Sequence, residues 1–333
     1  MLGIKRNKSI YERKRLLDTI VKYFFLSLAL LCASFVIFIA VFIAYKGIYP
    51  FFHDYSLVEG EFLHQDVALF FTNTRWLYNG NGGMFFLLLT TLCTTFLSLF
   101  LSVPTSIFTA LLIVRIVPKQ MKTFLQSAVD LLASIPSVIY GLFASGVICP
   151  MIASLGIETF GGRSILAGVI VLSLMEIPTM TTLSINAMEA VDERLIASSI
   201  ALGASKAQTN FKIVIGTASS GIFAGVILGV GRALGEATAI QMVIGNSSLG
   251  TNFYNVFAPG NTLTSAMLSG IGEAAGIGYD VRFSLGLVLI VVILLTSTLL
   301  NAIKRKMNSN YKKEDSLLYK LKARLGERRE KNG

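Results

Sequence analysis

The sequence predicts an all-α membrane protein with six transmembrane helices, and three observations lead to this fold class. The 333-residue chain is 53% hydrophobic and 14% charged, with a mean hydropathy of +0.67. Its apolar residues collect into runs of roughly 20, the length that a helix needs to cross a bilayer core. Its basic residues collect between alternate runs. The predicted spans are 23–45, 85–113, 128–150, 164–185, 221–244 and 283–303.

The distribution of positive charge predicts the orientation of these spans. Of the 29 Lys and Arg residues, seven precede the first span, three follow the second, three follow the fourth and eleven follow the last. Basic residues concentrate in cytoplasmic loops, so we expect both termini in the cytoplasm. We interpret the basic tail as an orientation signal beside a span, not as a nucleic-acid-binding segment. The expected surroundings are therefore membrane lipid, without nucleic acid.

The same pattern predicts the organisation of the chain. The segment 1–22 suits a basic amphipathic helix at the cytoplasmic membrane surface, although a solvated tail explains it equally well. For the external loop we favour an ordinary solvated segment over a docking surface. In chain order, the predicted regions are the amphipathic segment (1–22), the first span (23–45), the external loop (46–83), a core with five spans (84–303) that includes a cytoplasmic segment (190–215), and a basic cytoplasmic tail (304–333).

Two ionisable residues, Arg232 and Glu236, lie inside the fifth predicted span. Ionised side chains at this depth cost about 2.5–3.5 kcal/mol each on insertion scales, so they usually face a polar pathway or each other. Their spacing of four predicts that both lie on one face of a helix. We interpret the pair as the lining of a solute pathway. The alternative is a mutual ion pair that only fixes helix packing.

The fifth span also repeats small residues. Glycine recurs every fourth residue at Gly221, Gly225 and Gly229, and a second register contains Gly231 and Gly235. Glycines at this spacing let two helices approach closely. The sequence leaves open whether the second helix belongs to this chain or to a partner permease.

The segment 194–215 predicts a helix, a stop at Gly203 and a second helix that leads into the fifth span. A short cytoplasmic helix that is continuous with a pathway helix is what a motor protein would need to push on. The segment resembles the coupling motif of ABC importer permeases at Ala197, Ser198, Ser199, Gly203 and Ala204. It departs from that motif because its acidic residue and its later proline are missing.

Further motifs resemble the PstC-type permease of the phosphate ABC importer. They are DLLASIPSVIYG at 130–141, GVILGVGRALGE at 225–236, MVIGN at 242–246 and PGNTLTS at 259–265. The resemblance covers roughly residues 84–303 in order. It implies a type I ABC importer permease fold in the bacterial plasma membrane, and import of inorganic phosphate. The implied partners are a PstA-type permease, two PstB-type ATPases and an extracytoplasmic PstS-type binding protein.

The resemblance also implies roles for particular residues. Arg232 and Glu236 would line the phosphate pathway together with Thr238 and Asn246, and Glu273 would lie at its mouth. The five residues of the coupling motif would contact the ATPase. Glu176 differs from the family, where this position is usually apolar, and the sequence assigns it no role.

The chain is not expected to be an enzyme. It lacks the Gly-x-x-x-x-Gly-Lys-Ser/Thr phosphate loop, so ATP would be used by partner subunits and no cofactor would be bound here. The three cysteines are scattered, and the two histidines lie in the external loop, so neither a metal site nor a catalytic set is predicted. Two other functions remain open: import of another oxyanion, and ion-coupled secondary transport.

Overall fold

The structure, a computed structural model, describes residues 2–56, 62–77, 82–156, 160–248 and 254–331. These residues are almost entirely helical, which confirms the all-α class. The first half forms α1 (Leu2–Ile48), a 3₁₀ turn (Tyr49–Phe51), a hairpin of β1 (Tyr55–Ser56) and β2 (Phe62–Leu63), α2 (Val67–Thr72), α3 (Phe85–Leu111), α4 (Lys119–Ser134), α5 (Ser137–Phe143) and α6 (Cys149–Ala153).

The second half forms α7 (Ile165–Glu189), α8 (Glu193–Ala201), α9 (Lys206–Gln208), α10 (Ile215–Gly235), α11 (Thr238–Val243), α12 (Leu263–Leu268) and α13 (Ile277–Lys331). Short π-helical segments extend α3 (Leu112–Ile116), join α5 to α6 (Ala144–Ile148) and join α9 to α10 (Thr209–Val214).

Five helical stretches of the described residues are long and apolar enough to cross a membrane: Leu17–Phe51, Phe85–Ile116, Ile165–Glu189, Lys206–Gly235 and Ile277–Lys306. A sixth candidate joins Lys119–Ser134 to Ser137–Ala153 with a bend of 90°. Counted as one pass, the bent pair brings the number of spans to the six that the sequence predicts. The cytoplasmic assignment of both termini stays a prediction, and the predicted segment 1–22 is continuous with the first span in α1.

The third predicted span, 128–150, is not one straight helix. α4 ends at Ser134, Ile135 is extended with ψ 127°, and α5 begins directly after Pro136. Proline lacks an N–H donor and disfavours the helical conformation of the residue before it, so the chain turns here. The hydroxyl of Tyr140 donates to the carbonyl oxygen of Leu132 at 2.9 Å and ties the two arms together across the bend.

α4 lies against the C-terminal half of α7 through a polar stripe. The Lys122 Nζ atom is 2.7 Å from Glu189 Oε1, and Gln126 Nε2 donates to the same oxygen at 3.1 Å. One turn further on, Asp130 Oδ1 accepts from Thr182 Oγ1 at 3.0 Å. Residues four apart share a helix face, so the polar face of α4 is turned toward α7.

The described part of the external loop folds onto the bundle. Phe70 and Trp76 are each 1% exposed, and they belong to one apolar cluster with residues of α3, α12 and α13. The prediction of a solvated loop at 46–83 is therefore wrong for this part, because its aromatic residues bury a large apolar area. Residues 57–61 and 78–81 lie outside the described residues.

An ion pair fastens this loop and α1 to the start of α13. The Lys46 Nζ atom lies 3.1 Å from Asp280 Oδ1, and the Tyr55 hydroxyl donates to Asp280 Oδ2 at 2.7 Å. Burial and then the bond to Asp280 raise the pKa of the Tyr55 hydroxyl above its ordinary value of 10.0. Ser284 adds a hydrogen bond to the carbonyl oxygen of Gly47 at 2.7 Å.

The two glycine registers of α10 have different surroundings. A Cβ atom on Gly221 would lie 2.5 Å from Ala187 Cβ, and one on Gly225 would lie 3.1 Å from Leu183 Cβ. A Cβ on Gly229 would overlap the side chain of Met180. These three glycines therefore pack against α7 of the same chain. Cβ atoms on Gly231 and Gly235 would meet no described atom within 4 Å.

We expect Gly221→Ala to lower the thermal midpoint of the full-length protein in detergent. The added methyl group meets Ala187, whose side chain cannot rotate away, and overpacking of this kind costs about 1–3 kcal/mol. The matched control is Gly231→Ala on the same helix, where the new methyl group meets no neighbour. This variant should be more stable by up to about 1 kcal/mol, because alanine loses less backbone entropy on folding than glycine. Equal midpoint shifts in the two variants would contradict this assignment of the glycine faces.

Candidate functional site

The fifth span ends earlier than the sequence predicts. α10 stops at Gly235, and Glu236 is extended, with φ −72° and ψ 123°. Glu236 Oε1 accepts hydrogen bonds from Thr238 Oγ1 at 3.0 Å and from the Ala239 backbone N–H at 3.1 Å. Glu236 therefore caps the first turn of α11, where an anionic acceptor is favoured. The prediction that Arg232 and Glu236 share one helix face is wrong, because the helix breaks between them.

Arg232 lies half-buried in the last turn of α10. Its Nη1 atom donates to Thr179 Oγ1 on α7 at 2.8 Å. Among the described residues, no carboxylate lies within 4.0 Å of its guanidinium, so the alternative of a mutual ion pair with Glu236 is also wrong. A hydroxyl accepts one of the five N–H donors of an arginine but does not neutralise its charge.

Two breaks in membrane helices meet beside this arginine. Thr238 begins α11 after the break at Glu236, and Ser137 begins α5 after the bend at Pro136. Their hydroxyl oxygens are 3.1 Å apart. Thr264 on α12 donates to the carbonyl oxygen of Glu236 at 2.7 Å and holds the break in place.

This arrangement is chemically suited to an anion. Helix N-termini leave backbone N–H groups without partners inside the helix and carry partial positive charge. In transporters, the ends of discontinuous helices point at anionic groups of substrates near the bilayer midplane. A guanidinium, hydroxyl groups and two interrupted helices therefore lie in one part of the bundle, where Glu236 occupies the N-terminus of α11. Within the described residues, no cluster of three or more His, Cys, Asp or Glu could hold a metal ion.

Asn246 lies at the opposite end of α11 from Glu236. Its backbone is left-handed, with φ 49°, and it follows Gly245 with φ 96°. Its Nδ2 atom donates to the carbonyl oxygen of Gln241 at 2.8 Å, which satisfies the last turn of the short helix. The structure thus brings Thr238 to Glu236, but it gives Asn246 a helix-capping contact.

Glu273 is exposed and lines a cleft of about 340 Å³ together with Arg282 of α13. Arg282 is buried, and its Nη2 atom donates to the carbonyl oxygen of Ser269 at 2.8 Å. A second cleft of about 240 Å³ lies on the other side of Arg282 and reaches Gly235 and Ala237, next to the helix break. Glu273 thus lines the first cleft, whereas the second cleft reaches the helix break that follows Arg232.

The segment predicted for coupling forms α8, a turn and the helix that continues into α10. Gly203 has φ 87°, a left-handed conformation that favours glycine. Ala197 and Ser198 are exposed, Ala204 is half-buried, and Ser199 Oγ lies 2.9 Å from Thr209 Oγ1. Ile196 faces the bundle at 4% exposure, whereas Leu202 beside the turn is 89% exposed.

Sequence reasoning missed Thr179 and Ser137, although a shared signal could have indicated them. Each directly follows a proline inside an apolar run, Pro178 and Pro136. Prolines in membrane helices release backbone groups that neighbouring side chains must satisfy. A hydroxyl residue after such a proline is therefore placed where polar groups gather.

We expect Glu236→Ala to loosen α11 and Glu236→Gln to preserve it. The amide oxygen of Gln can still accept from the Ala239 N–H, whereas Ala leaves it unbonded at a cost of about 1 kcal/mol. Hydrogen exchange at the Ala239 amide in the full-length protein should be roughly fivefold faster in the Ala variant. This ratio corresponds to the same free energy of about 1 kcal/mol. Equal exchange in the two variants would show that the carboxylate does not act as a cap.

Comparisons with known proteins agree with this architecture. The family model for binding-protein-dependent transport system inner membrane components matches residues 102–313. Solved structures of a bacterial alginate ABC transporter are similar in fold. One covers 87% of this chain and 98% of the solved chain at 18% identity, with a TM-score of 0.58. Another, in complex with an alginate-bound periplasmic protein, covers 92% and 96% at 19% identity, with a TM-score of 0.57.

Curated relatives are more similar in sequence. The probable ABC transporter permease protein YqgH of Bacillus subtilis is 38% identical over 200 residues, which cover 60% of this chain and 64% of the relative. The matched segment thus spans less than two thirds of that relative's length. The phosphate transport system permease protein PstC 1 of Mycobacterium bovis is 30% identical over 244 residues, covering 67% of this chain and 72% of the relative. The PstC protein of Pasteurella multocida is 29% identical over 223 residues, covering 61% and 68%. The chain therefore belongs to the family of binding-protein-dependent transport system inner membrane components, and within it to the PstC-type ABC permeases.

Proposed function

We propose that this chain is the permease subunit of an ATP-driven importer of inorganic phosphate. The observation that carries the proposal is Arg232, a membrane-embedded guanidinium whose Nη1 atom donates to the neutral Thr179 hydroxyl at 2.8 Å, with no carboxylate within 4.0 Å among the described residues. Its remaining donors can bind phosphate oxygens in the bidentate geometry that arginine favours. The PstC relatives carry phosphate transport in their names, which supports this substrate.

The physics of phosphate requires an external energy source. The ion carries one to two negative charges near neutral pH, and each costs about 2.3 kcal/mol per 100 mV when it moves into a negative interior. Passive flow would run outward. The chain has no phosphate loop of its own, so in the proposed importer the energy comes from ATPase subunits that act on it.

The proposed partners are those that an ATP-driven importer of this class requires. We infer a PstA-type permease as the second half of the pathway, two PstB-type ATPases on the cytoplasmic side and a PstS-type binding protein outside. The solved alginate transporter was crystallised with a ligand-bound periplasmic protein, which supports delivery of this kind. With both termini cytoplasmic, the clefts beside Arg282 open toward the binding protein.

The ATPase contact is the turn between α8 and α9. Large apolar side chains are exposed here, Leu195 at 47%, Ile200 at 47% and Leu202 at 89%. This turn lies beyond the end of the span Ile165–Glu189, in a segment predicted to be aqueous, where such exposure marks a protein-binding surface. The exposed positions include Ala197, Ser198 and Gly203 of the predicted coupling motif. Arg115 supports α8 from the side, with its Nη1 atom 3.4 Å from Glu193 Oε1.

We expect Arg232→Gln to abolish ATP-driven phosphate uptake by the assembled transporter in proteoliposomes. Arg232→Lys should retain part of the rate, about 1–10%, because a point charge replaces the bidentate fork. Co-purification of all subunits serves as the control for assembly. Full uptake by the Gln variant would show that Arg232 does not bind the transported ion.

The same vesicles discriminate the two other functions. Uptake driven by an ion gradient without ATP would identify a secondary carrier. Preferential inhibition of uptake by a different oxyanion would identify that oxyanion as the substrate. Either result would contradict the proposal that this chain belongs to an ATP-driven phosphate importer.

We expect Gly203→Val to uncouple ATP hydrolysis from uptake. Its left-handed backbone costs a β-branched residue about 1–2 kcal/mol, so the turn should change conformation. Gly203→Asn is the matched control, because asparagine adopts this conformation more readily and no described atom lies within 4 Å of the new Cβ. The ratio of phosphate imported to ATP hydrolysed should fall at least fivefold in the Val variant only. An equal ratio in both variants would mean that the turn does not transmit the motion.

A further inference from the structure

Glu176 is a carboxylate in the centre of the bundle that the transport mechanism above leaves unused. It lies in the middle of α7 and is 1% exposed. The helices α3, α7 and α10 all pack against one another. Glu176 lies on α7 and is bonded to serines of α3, so it is inside this three-helix contact. A charged group at such a position is costly unless other groups bond it or pair with it.

Two hydroxyls of α3 hold the carboxylate. Ser102 Oγ donates to Glu176 Oε2 at 2.8 Å, and Ser98 Oγ lies 3.2 Å from Oε1. Ser98 Oγ is also 2.9 Å from the carbonyl oxygen of Thr95, and a hydroxyl has a single hydrogen to donate. The two serines fix the position of the carboxylate, but they carry no charge that could balance it.

The charge that faces Glu176 is Arg232. The guanidinium is bonded to Thr179, three residues further along α7. Residues three apart lie on one helix face, so Arg232 lies over the same face of α7 as Glu176. Glu236 is turned away to cap α11.

The remaining titratable groups on the neighbouring elements do not take this place. They are Cys93 on α3, Lys119, Lys122 and Asp130 on α4, Tyr140 on α5 and Glu189 on α7, and Lys122 is paired with Glu189. Asp130 is bonded to Thr182 and Tyr140 to the carbonyl oxygen of Leu132. Arg232 is bonded through Thr179 to the face of α7 that carries Glu176.

We propose that Glu176 is the counter-charge of Arg232 and a positioning residue for the anion site. This role rests on the proposed function, in which Arg232 binds the migrating oxyanion. When the pathway is empty, Glu176 offsets the guanidinium charge across the α7–α10 contact. When an oxyanion arrives, it competes with Glu176 for the guanidinium charge. This competition weakens the binding of the oxyanion to Arg232, so the oxyanion can leave. An uncompensated arginine would bind the ion strongly and release it slowly.

A thermal double-mutant cycle on the purified, phosphate-free complex tests the charge pairing alone. Glu176→Gln should lower the melting temperature in the parent, because Arg232 loses its counter-charge. In an Arg232→Gln background the same change should leave the melting temperature unchanged or raise it, because a lone buried carboxylate is removed. Glu189→Gln, which removes another carboxylate of α7, should shift both backgrounds equally. Equal shifts for Glu176→Gln in the two backgrounds would overturn the proposal.

This cycle does not require phosphate, so it separates the two proposals. If the unmodified complex imports no phosphate, the proposed function fails while the cycle still tests the pairing. If Glu176→Gln alone does not fold, recovery of folded complex by the added Arg232→Gln supports the pairing. A double variant that also fails to fold would count against it.

Phosphate uptake tests the consequence for transport. Glu176→Gln should reduce the maximal uptake rate at least tenfold without raising the half-saturation concentration, since ion release is slowed. Glu176→Asp, which keeps the charge, should restore at least half of the rate, a rescue that loss of packing would not give. A raised half-saturation concentration with an unchanged maximal rate would overturn the positioning role.

Discussion

A hydrogen bond between a membrane-embedded guanidinium and a neutral hydroxyl is the interaction around which this bundle is arranged. The bond from Arg232 to Thr179 joins α10 to α7 and orients the charge without cancelling it. Direct pairing with a carboxylate would stabilise an empty bundle more, but it would leave less attraction for an entering anion. Glu236 is engaged by the N-terminus of α11, whereas the serines of α3 hold Glu176 close to Arg232 without a direct bond between the two charges. Charge retention at Arg232 thus depends on what its neighbours bond to.

Interrupted backbone is the second constraint, and it occurs where the polar groups gather. The bend at Pro136 and the break at Glu236 would each expose unpaired backbone groups to lipid if they stood at the surface of the bundle. Here they face each other, joined by the hydroxyls of Ser137 and Thr238 at 3.1 Å. α12 closes the arrangement through Thr264. Pro136 and Thr238 are nevertheless exposed, so the described residues of this chain enclose the irregular backbone only in part.

Sequence reasoning predicted those features that depend on local pattern. Hydropathy located the five helices that are long enough to cross a membrane and the bent pair, and the glycine stop at Gly203 was visible because a left-handed turn has a strong residue preference. It did not predict the end of α10 at Gly235, because glycine is tolerated inside membrane helices and the apolar run continues to 244. The burial of Trp76 and the contact between Ser98, Ser102 and Glu176 depend on residues far apart in the chain. No local pattern specifies which helix faces meet, so these contacts required the structure.

The helix from Lys206 to Gly235 runs without a turn from the elbow at Gly203 to the arginine. At 1.5 Å per residue, the distance from Lys206 to Arg232 is roughly 40 Å, more than the thickness of the hydrocarbon layer. Because this helix is continuous between its ends, a tilt at the Gly203 turn would move the guanidinium of Arg232 sideways. The π-helical stretch Thr209–Val214 sets the rotational phase of this helix, since it holds more residues per turn than the α-helix that follows. Insertion or removal of one residue there would turn the cationic tip by about a quarter of a revolution, with every residue beyond it unchanged.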